Sequence, residues 1–329
     1  MKTIVIIGGG SATYMLLTGM RQFPVNKIVI VSTADSGGST GLLRKELDVM
    51  PWGDVRQCLI GLSYTDPALQ NLFSYRFDSG NLKGHSAGNI ILAALEKITG
   101  SPEGAIAEVA RLLNARGEIL FASKRPTTLS AKLENGTVLV GEHEIDEPVS
   151  KKHSPIEKLI LSKSEVNPRA LSAIGRADAI ILGPGDIFTS MLPNLLVPGI
   201  AEAITASSAQ KILITNIMTK FGQTDGFTAS RFLKLVNAYL APGKKEGPID
   251  TVIVNTKEPQ KKILDLYRKE KAIFVKPDID KLRQENITVI AKSIISNHIV
   301  KKINGDALKR SLVRHDSQKI AQIIWDLIK

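Results

Sequence analysis

The sequence has 329 residues, 43% hydrophobic and 5% aromatic, with one cysteine, Cys58, and a formal net charge of +11. Its hydrophobic content excludes a wholly disordered chain, its single cysteine excludes an internal disulfide, and the lack of an apolar run of about 20 residues argues against a membrane span. The positive excess lies in residues 151–329, where few aromatic residues accompany the basic ones, so the charge favours small anionic ligands over nucleic acid.

Short apolar runs alternate with helical patterns along the chain, which predicts an α/β fold with a Rossmann-like, doubly wound and mainly parallel sheet. The predicted strands are rich in Val and Ile. They are Thr3–Ile7, Lys27–Ser32, Glu118–Phe121, Ala179–Leu182, Lys211–Thr215 and Thr251–Asn255. The predicted helices are Ala12–Gln22, Thr40–Leu47, Val55–Ser63, Pro67–Phe73, Ala87–Ile98, Pro102–Ala115, Val197–Ser207, Ala229–Leu240, Pro259–Lys269 and Asp316–Ile328.

One stretch departs from this alternation. Thr127–Leu133 and Thr137–Glu142 flank Asn135-Gly136, the dipeptide most typical of a hairpin turn. We therefore expect a β-hairpin or small sheet, inserted at about residues 124–162 into a single α/β domain that covers residues 1–329.

A glycine-rich turn follows the first predicted strand. Gly9, Gly10 and Ser11 there could present backbone amides to a phosphate at the start of the next helix. Thr13 occupies the third glycine position of the dinucleotide pattern G-x-G-x-x-G, which argues against a standard NAD-binding oxidoreductase but leaves it as an alternative. The alternative interpretation is a strand–helix turn that binds no ligand.

A second polar turn follows the second predicted strand. It contains Asp35, Ser36, Gly37, Gly38 and Ser39. Asp35 could bind a sugar hydroxyl or a hydrated magnesium ion, or it could form an Asx-turn and cap the next helix. Asp54 lies in Pro51-Trp52-Gly53-Asp54, where it is either a second candidate metal ligand or a helix cap.

Further polar turns occupy comparable positions. His85 and Asn89 lie in a Gly-rich loop before a helix, Gly183-Pro184-Gly185 follows the strand Ala179–Leu182, and Asn216 follows the strand Lys211–Thr215. His85 is the one evident general base, although a lone histidine is often structural. Because parallel strands end at one sheet edge, these turns predict a single crevice for a phosphorylated, hydroxyl-rich ligand.

Together these stretches resemble the superfamily of 2-phospho-L-lactate transferase (CofD) and the gluconeogenesis factors (YvcK-like proteins). The resemblance covers nearly the whole chain. It is carried by Gly8–Ser11, Ala34–Gly41, Pro51–Arg56, Leu72–Phe77, Gly84–Asn89, Leu182–Gly185, Pro193–Val197 and Thr215–Thr219. Arg76-Phe77, the Gly84–Asn89 loop and Leu312–Asp316 are most similar to the YvcK-like branch.

Resemblance to that branch implies a regulator of carbon flow into cell-envelope precursors that binds a UDP-sugar such as UDP-N-acetylglucosamine. It also implies ligand contacts from a tyrosine and an arginine late in the chain, by pattern Tyr267 and Arg314. A tyrosine ring can stack on a base, and a guanidinium can grip a diphosphate in two places. A partner enzyme and a homodimer are further expectations.

Resemblance to the transferase branch implies another function. That branch moves a phospholactyl group from a nucleotide-activated donor to a deazaflavin alcohol with magnesium, and Asp35 and Asp54 would there hold the metal or the acceptor. The sequence leaves open whether the chain catalyses any reaction, and UDP-sugar, GDP and NAD are its candidate ligands. The single cysteine favours the reducing cytoplasm.

Overall fold

The structure is a computed structural model that describes residues 1–147, 154–296 and 312–329. Its strands form two sheets, one of seven parallel strands and one of three antiparallel strands. In chain order they are β1 (Thr3–Ile7), β2 (Asn26–Val31), β3 (Glu118–Phe121), β4 (Leu129–Leu133), β5 (Val138–Val140), β6 (Ile156–Leu161), β7 (Ala179–Leu182), β8 (Gln210–Ile214), β9 (Thr251–Asn255) and β10 (Thr288–Lys292).

The large sheet is doubly wound, in the order β10-β9-β8-β7-β1-β2-β3. The chain builds outward from β1 through β2 to β3, then returns to the other side of β1 and builds outward again from β7. The reversal lies between β1 and β7, which are paired in parallel with Ile7 opposite Leu182. In such a sheet the crevice for ligands opens at the carboxyl ends of the two strands where the order reverses.

The helices lie on both faces of the large sheet. In chain order they are α1 (Gly10–Met20), α2 (Gly38–Leu47), α3 (Trp52–Leu62), α4 (Pro67–Ser74), α5 (Ala87–Thr99), α6 (Pro102–Leu112), α7 (Glu142–Asp146), α8 (Pro168–Gly175), α9 (Leu192–Leu195), α10 (Ile200–Ala206), α11 (Ala229–Leu240), α12 (Lys261–Lys269), α13 (Ile279–Arg283) and α14 (Ser317–Ile328). A π-helical turn, Ile187–Met191, leads directly into α9.

Each face of the large sheet has its own hydrophobic core. Alternate residues of a strand point to opposite faces, so Val5 and Ile7 join one core and Ile4 and Ile6 join the other. On the second face α14 packs against α1. The approach is so close that a Cβ at Gly19 would lie 2.1 Å from the carbonyl oxygen of Ser317.

The small sheet has the order β5-β4-β6, with β4 and β5 joined through the Asn135-Gly136 turn. The predicted second hairpin strand, Thr137–Glu142, is too long at its end. The observed strand ends at Val140, because the chain turns at Gly141 with a φ of 105° and starts α7. Ile145 of α7 is buried in the core on one face of the large sheet, and α7 packs against β4, β5 and the π-helical turn Ile187–Met191. These contacts hold α7 at the crevice.

The predicted fold class is confirmed, and each of the six predicted strands is found within one residue of its expected bounds. Strand β10 and helices α7, α8, α9 and α13 were not predicted. Within the described ranges, no single helix is long and apolar enough to cross a membrane. Together, the two segments Ile187–Leu195 and Ile200–Ala206 have the length and composition of a membrane span, but they are bent by 78° relative to each other. Their apolar side chains lie in the core.

Candidate functional site

A cavity of about 580 Å³ opens at the carboxyl edge of the large sheet, where the strand order reverses. Gly9 and Gly10, which follow β1, face Pro184 and Gly185, which follow β7. The two turns approach closely, since a Cβ at Gly185 would lie 3.9 Å from the carbonyl oxygen of Gly9. The Asn216 side chain, after β8, donates a hydrogen bond to the Gly185 carbonyl oxygen at 3.0 Å. The ends of β1, β7 and β8 therefore lie together on one side of the cavity.

Asp54 lies directly against the first glycine turn. It stands in the first turn of α3, but it does not cap that helix, which begins after Pro51 without a side-chain cap. Its carboxylate instead accepts a hydrogen bond from the Gly10 amide. A Cβ at Gly9 would lie 1.9 Å from Asp54 Oδ2, so glycine at this position is what admits the carboxylate.

Asp35 lies beside the start of the same helix. A Cβ at Gly53 would lie 2.7 Å from Asp35 Oδ2, so Gly53 is required for this approach. Asp35 Oδ1 accepts a hydrogen bond from the Gly37 amide at 3.0 Å, which is the predicted Asx-turn. Helix α2 begins after Gly37 without a side-chain cap, so the capping interpretation of Asp35 is wrong.

The two aspartates share a site of negative potential. Burial raises the pKa of Asp35 above its ordinary value. Burial, together with the Asp35 carboxylate, raises the pKa of Asp54 to about 7, although Arg56 and the Gly10 amide stabilise the ionised form. A carboxyl group that gains or loses its proton near neutral pH is unusual and typical of functional sites.

This arrangement predicts that Asp54 destabilises the fold as pH rises. Because the pKa of Asp54 is raised in the folded chain, its contribution to the free energy of unfolding is most favourable below about pH 4. That contribution is lost as the pH rises through 7. We expect Asp54→Asn to match the wild type at pH 4 and to exceed its free energy of unfolding by about 2 kcal/mol at pH 8. Urea denaturation across this range measures the difference.

Asp280→Asn is the matched control, because the Asp280 side chain is 97% exposed and its replacement is expected to leave the pH profile unchanged. If Asp54→Asn and the wild type had equal free energies of unfolding at pH 8, burial and the Asp35 carboxylate would not raise the pKa of Asp54 as described.

A buried polar network forms one end of the cavity. Arg56, 5% exposed, donates from Nε to Asn89 Oδ1 at 2.8 Å and from Nη1 to the Phe73 carbonyl oxygen at 3.2 Å. Asn89 donates to Ser39 Oγ at 3.4 Å, and that hydroxyl lies 3.3 Å from His85 Nδ1. His85 therefore stands behind Ser39 and does not line the cavity.

Aromatic, basic and acidic side chains line the cavity on the side of β8 and β9, where Glu270 joins Tyr267 and Arg314. The Tyr267 side chain is 5% exposed. The Tyr267 hydroxyl accepts a hydrogen bond from the Val313 amide at 3.2 Å, which fixes the segment that carries Arg314. His315 Nε2 lies 3.1 Å from the Thr215 carbonyl oxygen, and burial lowers the pKa of His315 to about 4, so the ring is neutral at physiological pH.

Helix α7 supplies cavity residues that the sequence analysis missed. Glu142 accepts a hydrogen bond from the Ser36 amide at 3.4 Å, and burial and the Asp35 carboxylate raise its pKa well above the ordinary value. Asp146 pairs with Lys220, whose ammonium also lies 2.9 Å from Asp186. Burial lowers the pKa of Lys220, but these two carboxylates raise it by more, so it stays charged.

Most predicted site residues line this one cavity. They are Gly9, Gly10, Ser11, Asp35, Gly37, Ser39, Asp54, Asn89, Pro184, Gly185, Asn216, Tyr267 and Arg314. Four others lie outside its lining, namely Ser36, Gly38, His85 and Gly183. Ser36 turns toward α7, where its hydroxyl accepts a hydrogen bond from the His143 amide at 3.2 Å, and Gly38 is exposed at the start of α2.

Asp35 and Asp54 are the candidate metal ligands of the sequence analysis. Within residues 1–147, 154–296 and 312–329, no three His, Cys, Asp or Glu side chains are arranged as a complete set of metal ligands. The two aspartates would supply two carboxylates, and a magnesium ion commonly takes its other ligands from water and substrate phosphates. The residues present thus suit a metal that arrives with a phosphorylated ligand.

Comparisons with known proteins agree on one family. Residues 4–295 match the family model of "2-phospho-L-lactate transferase CofD". The chain is 40% identical to the gluconeogenesis factor of Halalkalibacterium halodurans, over 99% of this chain and 96% of that protein. It is 38% identical to the gluconeogenesis factor of Bacillus subtilis, over 99% and 98% of the two chains.

A solved structure supports the same assignment. The crystal structure of a UPF0052 family member from Bacillus halodurans superimposes with a TM-score of 0.88. The two chains are 38% identical, and the superposition covers 98% of each. The family prediction made from the sequence motifs is confirmed.

Proposed function

Since the chain belongs to the CofD family, we propose that it is a regulatory protein that binds a nucleotide-sugar. Gluconeogenesis factors are among its relatives. The proposed ligand is of the UDP-N-acetylglucosamine type. Its role is to adjust carbon flow toward cell-envelope precursors according to the supply of that ligand. Catalysis is not part of this proposal.

One observation carries the proposal, namely that chemically different surfaces follow one another along the crevice. Along the sheet edge, Asp35 follows β2, the two glycine turns follow β1 and β7, and Tyr267 follows β9. All of them line the cavity, together with Arg314. A base could stack on the tyrosine ring, a diphosphate could bind between the guanidinium and the backbone amides, and a sugar could extend toward the carboxylates. The three parts of a nucleotide-sugar thus have three chemically matched surfaces.

Calorimetric titration with UDP-N-acetylglucosamine, UDP, GDP and NAD tests the proposal. We expect saturable binding of UDP-N-acetylglucosamine and weaker binding of UDP, with GDP and NAD at least about tenfold weaker than the preferred ligand. Preferred binding of NAD would support the oxidoreductase alternative instead. Failure of every nucleotide to bind would refute the proposal.

A magnesium-dependent transferase of the phospholactate type is the second candidate, because Asp35 and Asp54 stand side by side at the crevice. Those residues would hold the metal, which would neutralise phosphate charge. Incubation with magnesium, a nucleotide-activated phospholactate and a deazaflavin alcohol tests it. Formation of the phosphodiester product at a rate that Asp35→Asn abolishes would favour the transferase over the regulator.

Three further features complete the proposal. We place the protein in the cytoplasm, where UDP-sugars are made and where the buried thiol of Cys58 stays reduced. A regulator of this kind acts through a partner enzyme, and a homodimer is the oligomeric state that we propose. Co-purification with mass measurement of the complex tests the partner and the oligomeric state together.

A further inference from the structure

Helix α7 reaches the crevice from outside the large sheet and is held on both of its sides. Near β2, Glu142 accepts a hydrogen bond from the Ser36 amide at 3.4 Å. Near β7 and β8, Asp146 accepts a hydrogen bond from Thr189 Oγ1 at 3.2 Å and pairs with Lys220. Ile145 between them is fully buried. The helix therefore presents a fixed surface to whatever enters the crevice.

The charges around Glu142 decide what that surface can bind. The carboxylates of Asp35, Asp146 and Asp54 all act on Glu142 and disfavour its negative charge. A phosphate group placed here would meet the same repulsion. A neutral group with several hydroxyls would not, because its hydroxyls can donate hydrogen bonds to carboxyl oxygens.

The position of Glu142 along the crevice agrees with this chemistry. Glu142 faces Gly37 and Asp35, since a Cβ at Gly37 would lie 3.7 Å from Glu142 Oε2 and 3.6 Å from Asp35 Oδ1. Asp146, four residues later in the chain, is paired with Lys220. Glu142 is therefore the α7 carboxyl group placed among the aspartates of the crevice.

We propose that Glu142 determines which sugar the crevice accepts, by hydrogen-bonding to a hydroxyl group of the pyranose ring while the diphosphate lies at the glycine turns. This inference rests on the proposed function, because it requires a nucleotide-sugar in the crevice. Helix α7, which follows β5 of the small sheet, would then discriminate between a nucleotide-sugar and a nucleotide without a sugar.

The test compares the affinities of UDP and UDP-N-acetylglucosamine for the full chain and its variants by calorimetry, with and without magnesium. In Glu142→Ala we expect the preference for the sugar-bearing ligand over UDP to fall about tenfold while the affinity for UDP is retained. In Glu142→Gln, which keeps a hydrogen-bonding side chain, we expect most of the preference to remain. Retained UDP affinity also shows that both variants are folded.

Glu144→Gln is the matched control, since Glu144 lies on the same helix but is exposed and does not line the cavity. An unchanged preference in Glu142→Ala would overturn the inference, as would an equal loss of both ligands or a loss confined to magnesium-containing buffer. Failure of the wild type to bind either ligand would instead refute the proposed function, so the two failures are distinguishable.

Discussion

Gly9→Ala is expected to reduce nucleotide affinity by at least about 100-fold and to lower the free energy of unfolding by about 2–3 kcal/mol. The added methyl would lie 1.9 Å from Asp54 Oδ2, 2.4 Å from Asp54 Cγ and 2.9 Å from Asp54 Cβ. Rotation of the carboxylate alone cannot relieve a contact with all three atoms, so the turn and α3 must separate. Calorimetry and urea denaturation measure the two effects.

Two variants isolate the cause. Gly175→Ala at the end of α8 adds a methyl group where no atom lies within 4 Å, and we expect it to bind and fold as the wild type does. Gly9→Ala combined with Asp54→Ala removes the two carboxyl atoms that clash most and leaves the 2.9 Å contact with Cβ, and we expect part of the lost stability to return. A Gly9→Ala variant with normal affinity would show that the first glycine turn does not contact the ligand.

Arg314→Ala is expected to weaken binding of UDP and of UDP-N-acetylglucosamine by the same factor, about 100-fold, which corresponds to about 2.7 kcal/mol. Arg314 lines the cavity together with Tyr267. A guanidinium that contacts a diphosphate in two places loses both contacts on truncation, whichever group the diphosphate carries. Calorimetric titration with each ligand measures the factor.

Arg314→Lys separates geometry from charge, and we expect it to recover only part of the affinity because an ammonium lacks the planar pair of donors. Arg268→Ala is the control, since Arg268 lies nearby in α12 with a side chain 67% exposed and paired with Asp265. If Arg314→Ala left both affinities unchanged, the placement of the diphosphate beside Arg314 would be wrong.

The sequence predicted the central strands of the fold well because their apolar residues are buried. Ile4–Ile7 and Ala179–Leu182 are unbroken apolar runs, and such runs have few alternatives to a central parallel strand. The missed strand Thr288–Lys292 is half-exposed and, among the described residues, is an edge strand paired with β9. The missed helix Pro168–Gly175 is short, although Asn167 and Pro168 formed a recognisable start signal.

The candidate site was predictable where it consists of strand ends. Gly10, Asp35 and Gly185 each follow a strand of one parallel sheet, and topology alone brings such residues to a common edge. Tyr267 and Arg314 came from the family resemblance, since no pattern within the sequence marks them. Glu142 and Lys220 were missed because their partners, Ser36 and Asp146, are distant in the sequence and meet them only through tertiary contacts.

The close seating of α14 on α1 also bears on when the fold is completed during synthesis. Gly19, on the helix that begins with the first glycine turn, contacts the backbone of Ser317, roughly 300 residues later. At typical bacterial elongation rates the ribosome needs about 15–60 s to make that stretch. A nascent chain therefore carries α1 without its α14 contact for most of its translation, although α1 can already pack against α3.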